Sequence, residues 1–199
     1  MTTATISRTD IVALSTYRQG RDEYIKKMID YKRPRRIKLS DGITLLFENR
    51  NTVLFQIQEL INSEDLEDPK EVQEYIDIYS PMIPAPQELS GTLFIEVDDQ
   101  DRLQKMLTAL KGIEHHLYLI VGDEKLQAVF EEEHDDREFT TSVHYLKFPL
   151  TDTAAAYLTN GSFEHEQVRV LLDHPALVSE VPLSADTVAA LAKDLETHK

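Results

Sequence analysis

Seven histidines and not one cysteine define where chemistry could sit in this 199-residue chain. Without a thiol there is no disulfide, thiolate zinc site, cysteine-ligated iron–sulfur cluster or cysteine nucleophile. Any metal would rest on His, Asp, Glu or backbone oxygen. His144 lies in Ser142-Val143-His144-Tyr145-Leu146-Lys147-Phe148, where strand alternation puts it on one face with Leu146, Phe148 and Leu150. There it is either a general base or ligand facing a pocket, or a core histidine satisfied by a carbonyl or carboxylate; the apolar neighbours favour the second. Asp173-His174-Pro175 follows a strand, and Pro175 biases His174 toward extended geometry. It reads as a pre-set ligand pair or, more simply, as a turn in which Asp173 accepts backbone amides. Glu48, in Phe47-Glu48-Asn49-Arg50, sits where a strand passes into a helix, either pairing with a distant cation or fixing the corner. Together His144, Asp173, His174 and Glu48 form a candidate divalent-metal pocket drawn from three separated strand ends.

Anion or partner binding has its own candidates. Arg50 would stand near a helix N-terminus, which suits an anion. Lys32, Arg33, Arg35, Arg36 and Lys38 place five cations in seven residues beside Tyr31. Nucleic-acid readers interleave more aromatics or show a recognisable module, so pairing with the acidic part of the same chain or with a second subunit is the more economical role. The acidic run Glu131 to Glu138 lacks the glycine-punctuated spacing of a calcium loop and reads as a solvated loop. His115 and His116, as neighbours in a strand, point to opposite faces. Phosphate loop, dinucleotide fingerprint, nucleophile elbow and HExxH are all missing from the sequence.

The elements that must position these residues are legible in outline. Ser7 to Asp10 reads as a capping box opening a short helix, and a longer helix from about Arg21 to Tyr31 has Tyr24, Ile25, Met28, Ile29 and Tyr31 at helical spacing. Pro34 ends it. Ile37 and Leu39, the turn Ser40-Asp41-Gly42 and the run Ile43 to Phe47 predict a hairpin. Thr52 is the expected cap of the next helix, whose core face is Val53, Leu54, Ile57, Leu60 and Ile61, with Gln56, Gln58 and Glu59 toward water. Asp68-Pro69 opens a short helix with Val72, Tyr75, Ile76 and Tyr79 inward. Residues 80–90, with three prolines, read as a stiff connector. Beyond it come a strand at Leu93 to Val97, a helix from about Asp101 to Lys111 stopped by Gly112, and a hairpin around Gly122-Asp123-Glu124. A strand at Ser142 to Leu150, a helix capped by Thr151 and ended by Gly161, a strand at Glu166 to Leu172 and a last helix capped by Ser184 complete the chain.

These elements predict an α+β fold with a mixed or mainly antiparallel sheet, an N-terminal helical region and flanking helices. One domain over 1–199 is expected, with 80–90 as the place where a helical and hairpin part (1–79) would divide from a sheet part (91–199). The formal charge of -15 hides an asymmetry: residues 1–50 hold 11 Lys/Arg against 6 Asp/Glu, and residues 51–199 hold 10 against 30. The acidic total disfavours nucleic acid. The first residues lack the basic start and apolar run of a signal peptide, and no stretch approaches a membrane span, so a cytoplasmic protein without membrane contact is expected.

The segments Phe47-Glu48-Asn49-Arg50-Asn51-Thr52, Gln56-Ile57-Gln58-Glu59, Ser142 to Phe148 and Asp173-His174-Pro175 resemble those of a bacterial family of roughly 200-residue proteins catalogued only as a domain of unknown function. The resemblance spans essentially the whole chain and brings no reaction or catalytic residues with it. It implies an accessory role in redox or peroxide metabolism, because members are encoded near rubrerythrin-like proteins and iron–sulfur oxidoreductases. Two functions follow as expectations. The first is an accessory protein that binds a protein partner or a second copy of itself through the basic stretch. The second, of a different class, is a metal-dependent enzyme or sensor using the His/Asp/Glu set.

Overall fold

A computed structural model describes residues 5–132, 137–160 and 167–196. Ser7 opens a single 3-10 turn, its backbone N–H and hydroxyl both donating to the Asp10 carboxylate (2.8 and 2.9 Å). The first helix, α1 (Leu14–Lys32), starts earlier than its apolar spacing suggests, because Leu14 and Tyr17 are buried and extend the helix by two turns. Ile29, expected inward, is 57% exposed. Pro34 lies in a 3-10 turn that ends the helix and leads into β1 (Arg36–Ser40) and β2 (Ile43–Glu48), an antiparallel hairpin. Its turn needs Gly42: φ is +85°, and a Cβ there would meet the Glu96 carbonyl oxygen at 2.9 Å.

The next helix, α2 (Arg50–Ser63), is capped one turn earlier than expected. Asn49 is the N-cap, its Oδ1 accepting from the backbone N–H groups of Asn51 (3.0 Å) and Thr52 (3.1 Å), while the Thr52 hydroxyl oxygen accepts from Asn49 N–H at 2.9 Å. Thr52 is therefore the third residue of a capping box. Val53, Ile57 and Ile61 are buried as the spacing predicts, but so is Gln58. Its amide accepts from Val12 N–H (2.8 Å) and donates to Val12 C=O (3.1 Å), so a polar residue expected in water binds the N-terminal segment instead. In α3 (Pro69–Tyr79) the Asp68 cap and the Val72/Ile76 stripe appear as read.

The proline-rich connector buries Met82 and delivers β3 (Glu88–Ile95), which pairs antiparallel with β2 from Ile43–Ile95 to Glu48–Ser90. The chain before and after the connector therefore meets in one sheet. There follow α4 (Gln100–Ala109), stopped near left-handed Gly112, then β4 (Leu117–Val121), β5 (Glu124–Gln127), β6 (Val129–Phe130) and β7 (Val143–Pro149). After α5 (Asp152–Thr159), capped by Thr151, come β8 (Val168–His174), β9 (Leu177–Pro182) and α6 (Ala185–Glu196). The strand β9 has no counterpart in the sequence reading. The Gly161 stop and the Glu166 strand start lie outside the described residues.

Both sheets are antiparallel: β1-β2-β3-β7-β6 and β5-β4-β8-β9. They belong to one α+β architecture, linked where β5 and β6 run into each other through Ala128, whose N–H donates to Leu117 C=O at 2.9 Å. Their inner faces share one apolar core with α4, α5 and α6. A second core lies among Leu14, α2, α3 and Met82, with Tyr145 packed against it. That places the helices of the N-terminal half over the outer face of the five-stranded sheet.

The last helix is pinned by charge to the 3-10 turn that follows α1. Arg35, 3% exposed, donates from Nη1 and Nη2 to the two carboxylate oxygens of Asp194 at 2.5 and 2.8 Å. Removing one partner of a buried, bidentate pair strands the other charge. We therefore expect Asp194→Ala to lose about 3–5 kcal/mol in denaturant unfolding, while Arg35→Met with Asp194→Leu recovers most of that loss. A single variant no less stable than the double would refute this.

The α1–α2 contact carries a second charge network: Glu59 accepts from Arg21 Nε and Nη2 (2.9 and 2.7 Å) and from the Tyr17 hydroxyl (2.6 Å). The Arg21 hydrogen bonds hold the Glu59 carboxyl below its usual 4.5, with Tyr17 assisting, and the Ser7 N–H and Arg50 hold Asp10 below its usual 3.8. A lowered native pKa gives stability that is complete above the unfolded value and is lost as pH falls through the native one. Melting temperature should thus fall as pH drops below about 4.5. Glu59→Gln should lower it near neutrality, flatten that fall, and converge on the wild type in acid.

Candidate functional site

The strand-to-helix corner Phe47 to Thr52 is where the described side chains with chemistry gather, because the C-terminal end of α1 passes over it. Tyr31 reaches Asn49, and Lys32 lies within the field of Glu48. Successive residues of β2 and the corner therefore serve different environments.

On one side is a cleft of about 460 Å³ bounded by Tyr31, Arg35, Asn49, Asn51, Arg50 and Lys193, with Asp30 and Asp194 also in its wall. The Tyr31 hydroxyl oxygen accepts from Asn49 Nδ2 at 2.6 Å and Asn51 Nδ2 at 3.3 Å. Asn49 donates its other amide hydrogen to Asp194 Oδ1 at 2.9 Å, while its own Oδ1 caps α2, so every polar atom of this side chain is used. Arg35 lies against the Tyr31 ring, 4.9 Å from its centroid. The result is a phenol fixed in position by donors on its oxygen and a guanidinium on its face. Its own proton is the polar group left to offer to the cleft. Arg50 donates to Asp10 (2.6 Å) and to Thr5 C=O (3.0 Å), tying the N-terminal segment to the rim.

On the other side, Glu48 is 4% exposed on the outer face of the five-stranded sheet. Its Oε1 accepts from the Thr92 hydroxyl at 2.7 Å, and Oε2 has no partner. The cross-strand row Glu48–Ser90–Lys147–Val129 runs from it to the β6 edge. Tyr145, in the neighbouring row, packs against the second core beside α2.

The four metal candidates are not brought together. Register explains why: Glu48 pairs with Ser90, whereas His144 pairs with Leu93, and this odd offset puts Glu48 on the outer face and His144 on the inner one. His144 is buried as its strand alternation predicts, with Nε2 3.0 Å from the Thr140 hydroxyl and Phe130 edge-on at 5.4 Å. His174 ends β8 in the other sheet. Ala176 N–H donates to its Nδ1 (3.1 Å), which leaves Nε2 to donate to Lys111 C=O (2.9 Å), so both ring nitrogens are engaged. Asp173 is half-exposed near Lys125 (3.6 Å), and its carbonyl accepts from His116 Nδ1. A turn does follow at Pro175 and Ala176, but its amide is accepted by His174 Nδ1 and not by the Asp173 carboxylate, which faces Lys125 instead. Among the described residues no set of three His, Asp or Glu side chains is placed to hold a metal ion.

The basic stretch is distributed rather than displayed. Arg35 is buried on Asp194, Arg33 pairs with Asp30 (2.6 Å) and Lys38 with Asp41 (3.7 Å). Lys32 places its ammonium 4.6 Å from the centre of the Phe55 ring, and Arg36 stands over Phe94 at 5.9 Å. The acidic part of the chain thus neutralises Arg35, which cannot reach a partner's surface. In the acidic run, residues 133–136 lie outside the described set.

Sequence reasoning undervalued Tyr31, Asn49 and Asn51, and missed Asp194 and Thr92. One signal for Asp194 was available: it stands three residues after Leu191 and beside Leu195, on the apolar stripe of α6, where a carboxylate needs a partner. No helix among the described residues is long and apolar enough to cross a membrane.

No curated protein matches the chain. A crystal structure at 1.90 Å resolution of a novel protein of unknown function from Burkholderia pseudomallei K96243 is similar over 96% of this chain and 99% of its own, with 31% identity and a TM-score of 0.88. The model of the family described as "Protein of unknown function (DUF3501)" matches residues 5–195. With nearly the whole fold and the corner that carries the cleft inside that match, the chain belongs to this family of proteins of unknown function.

Proposed function

We propose that the protein is an accessory binding protein whose ligand is a small carboxylate held in the cleft before Tyr31. The observation that carries this reading is the pair of amide donors on the Tyr31 hydroxyl oxygen. With Asn49 and Asn51 donating to its oxygen, the hydroxyl keeps its own proton to donate, and an acceptor oxygen in the cleft is the complementary group. The charges of the wall favour an anion. Asp30 is matched by Arg33 and Asp194 by Arg35, while Lys193 has no anion paired with it among the described residues. The N-terminal end of α2 adds partial positive charge. The cleft volume of about 460 Å³ suits a molecule of metabolite size. An accessory role beside redox enzymes, implied by the family resemblance, agrees with a chain that has no cysteine to ligate a cluster of its own.

The test is a melting-temperature series at low salt with acetate, glyoxylate, succinate and inorganic phosphate. At least one carboxylate should stabilise the protein saturably, by about 2.7 kcal/mol at a hundredfold excess over Kd. Tyr31→Phe should weaken that binding about tenfold or more, compared against its own unliganded melting temperature, because the lost acceptor of Asn49 lowers that baseline as well. Stabilisation by none of the carboxylates, or equal stabilisation of Tyr31→Phe, would overturn the reading.

A further inference from the structure

A recess of about 240 Å³ opens on the outer face of the five-stranded sheet, bounded by β6 on one side and by Pro81 and Met82 of the proline-rich connector on another. Strand alternation decides which side chains reach it. Ser90, Lys147 and Val129 form one cross-strand row, and Tyr145 lies in the next beside Glu131, whose N–H donates to Tyr145 C=O at 2.9 Å. All five share the outer face. Phe130 and Leu146 alternate with them and turn to the main core, so they and Gly91 give the recess their backbone. Two of its polar groups are already spent. The Ser90 hydroxyl donates to Met82 C=O at 2.7 Å, and Lys147 is held on Glu88 at 2.8 Å, a carboxylate that is itself fixed by accepting the Ala85 N–H at 3.0 Å. The Lys147 charge is therefore neutralised within the wall. Among the described residues no cation closes on the Glu131 carboxylate, which carries the remaining charge of the recess.

We infer that this recess binds a small hydrophobic primary amine, its hydrocarbon body against Met82, Val129 and Tyr145 and its ammonium on Glu131. A ligand that fits must bring apolar surface for those walls and a positive charge for the one carboxylate without a counterion. An anion would meet Glu131 and find the Lys147 ammonium already taken by Glu88. The volume falls below the roughly 300–1,000 Å³ of pockets for drug-sized ligands, so the body is a single ring or a short chain. Glu131 is exposed, which makes its share of the binding modest and sensitive to salt. The cleft before Tyr31 shares no residue with this recess, so the two are separate sites.

The full chain carrying methionine labelled with carbon-13 at the methyl group, titrated with phenethylamine and followed by NMR, tests this. The Met82 methyl resonance, assigned through Met82→Leu, should shift saturably while those of Met28 and Met106 stay in place. Phenylethanol and phenylacetate, which keep the ring and change the head group, should bind about fivefold more weakly or worse. Glu131→Gln, a change at an exposed position, should weaken the amine by a similar factor and leave phenylethanol unaffected, and raising the salt to about 0.5 M should act on the wild type in the same direction. A Met82 methyl that does not move, or phenylethanol or phenylacetate binding as tightly as the amine, would overturn the assignment. So would an amine affinity that Glu131→Gln leaves unchanged. Carboxylate binding before Tyr31 enters none of these readouts, so that reading and this one stand or fall separately.

Discussion

A guanidinium taken out of water must meet a carboxylate that has also given up its hydration, and most of this molecule is arranged around that requirement at Arg35 and Asp194. The pair lies 159 residues apart in sequence. Meeting it requires the 3-10 turn after α1 to face α6, which fixes how the last helix sits on the sheets. Asp194 also accepts from Asn49, so the same carboxylate orients the cap of α2, and Asn49 in turn holds the Tyr31 hydroxyl. A single buried charge pair thus connects the first helix, the strand-to-helix corner and the C-terminal helix. A hydrophobic pair would fill the space at similar stability, but it would not hold Asn49 in place.

The corner gains its chemical character from strand alternation followed by capping. Phe47 points into the main core, Glu48 to the opposite face, and Asn49 leaves the strand to cap the helix. Three consecutive residues therefore reach a dry apolar interior, a buried polar position on the opposite face of the sheet and a solvent-facing cleft.

What could be read from sequence was the part set by neighbours a few residues away. The Val53/Ile57/Ile61 stripe, the Asp68-Pro69 start, the Gly42 and Gly112 turns and the burial of His144 all follow from local spacing. The failures share a different cause. Gln58 looks like a surface residue until Val12 is brought to it, and Arg35 looks like a displayed cation until Asp194 arrives from the far end of the chain. The strand β9 escaped notice because its inward positions are Leu177, Ser179 and Val181, while Val178 stands 67% exposed, so its pattern has little contrast between faces. The metal set failed on register: the faces of Glu48 and His144 are decided by which residue of β3 each one pairs with, and no local pattern contains that information.

The run that passes from β5 through Ala128 into β6 has a consequence for how errors spread. Because one continuous strand belongs to both sheets, its two pairings, with β4 and with β7, must be set in step. A slip of one residue in either would turn Leu126 and Phe130 to the wrong side together, exposing apolar surface at both ends of the run. Mispaired forms are thereby penalised twice for one mistake. The short stretch 124–130, only two residues of which form β6, acts as a proofreading element for the alignment of the whole double sheet.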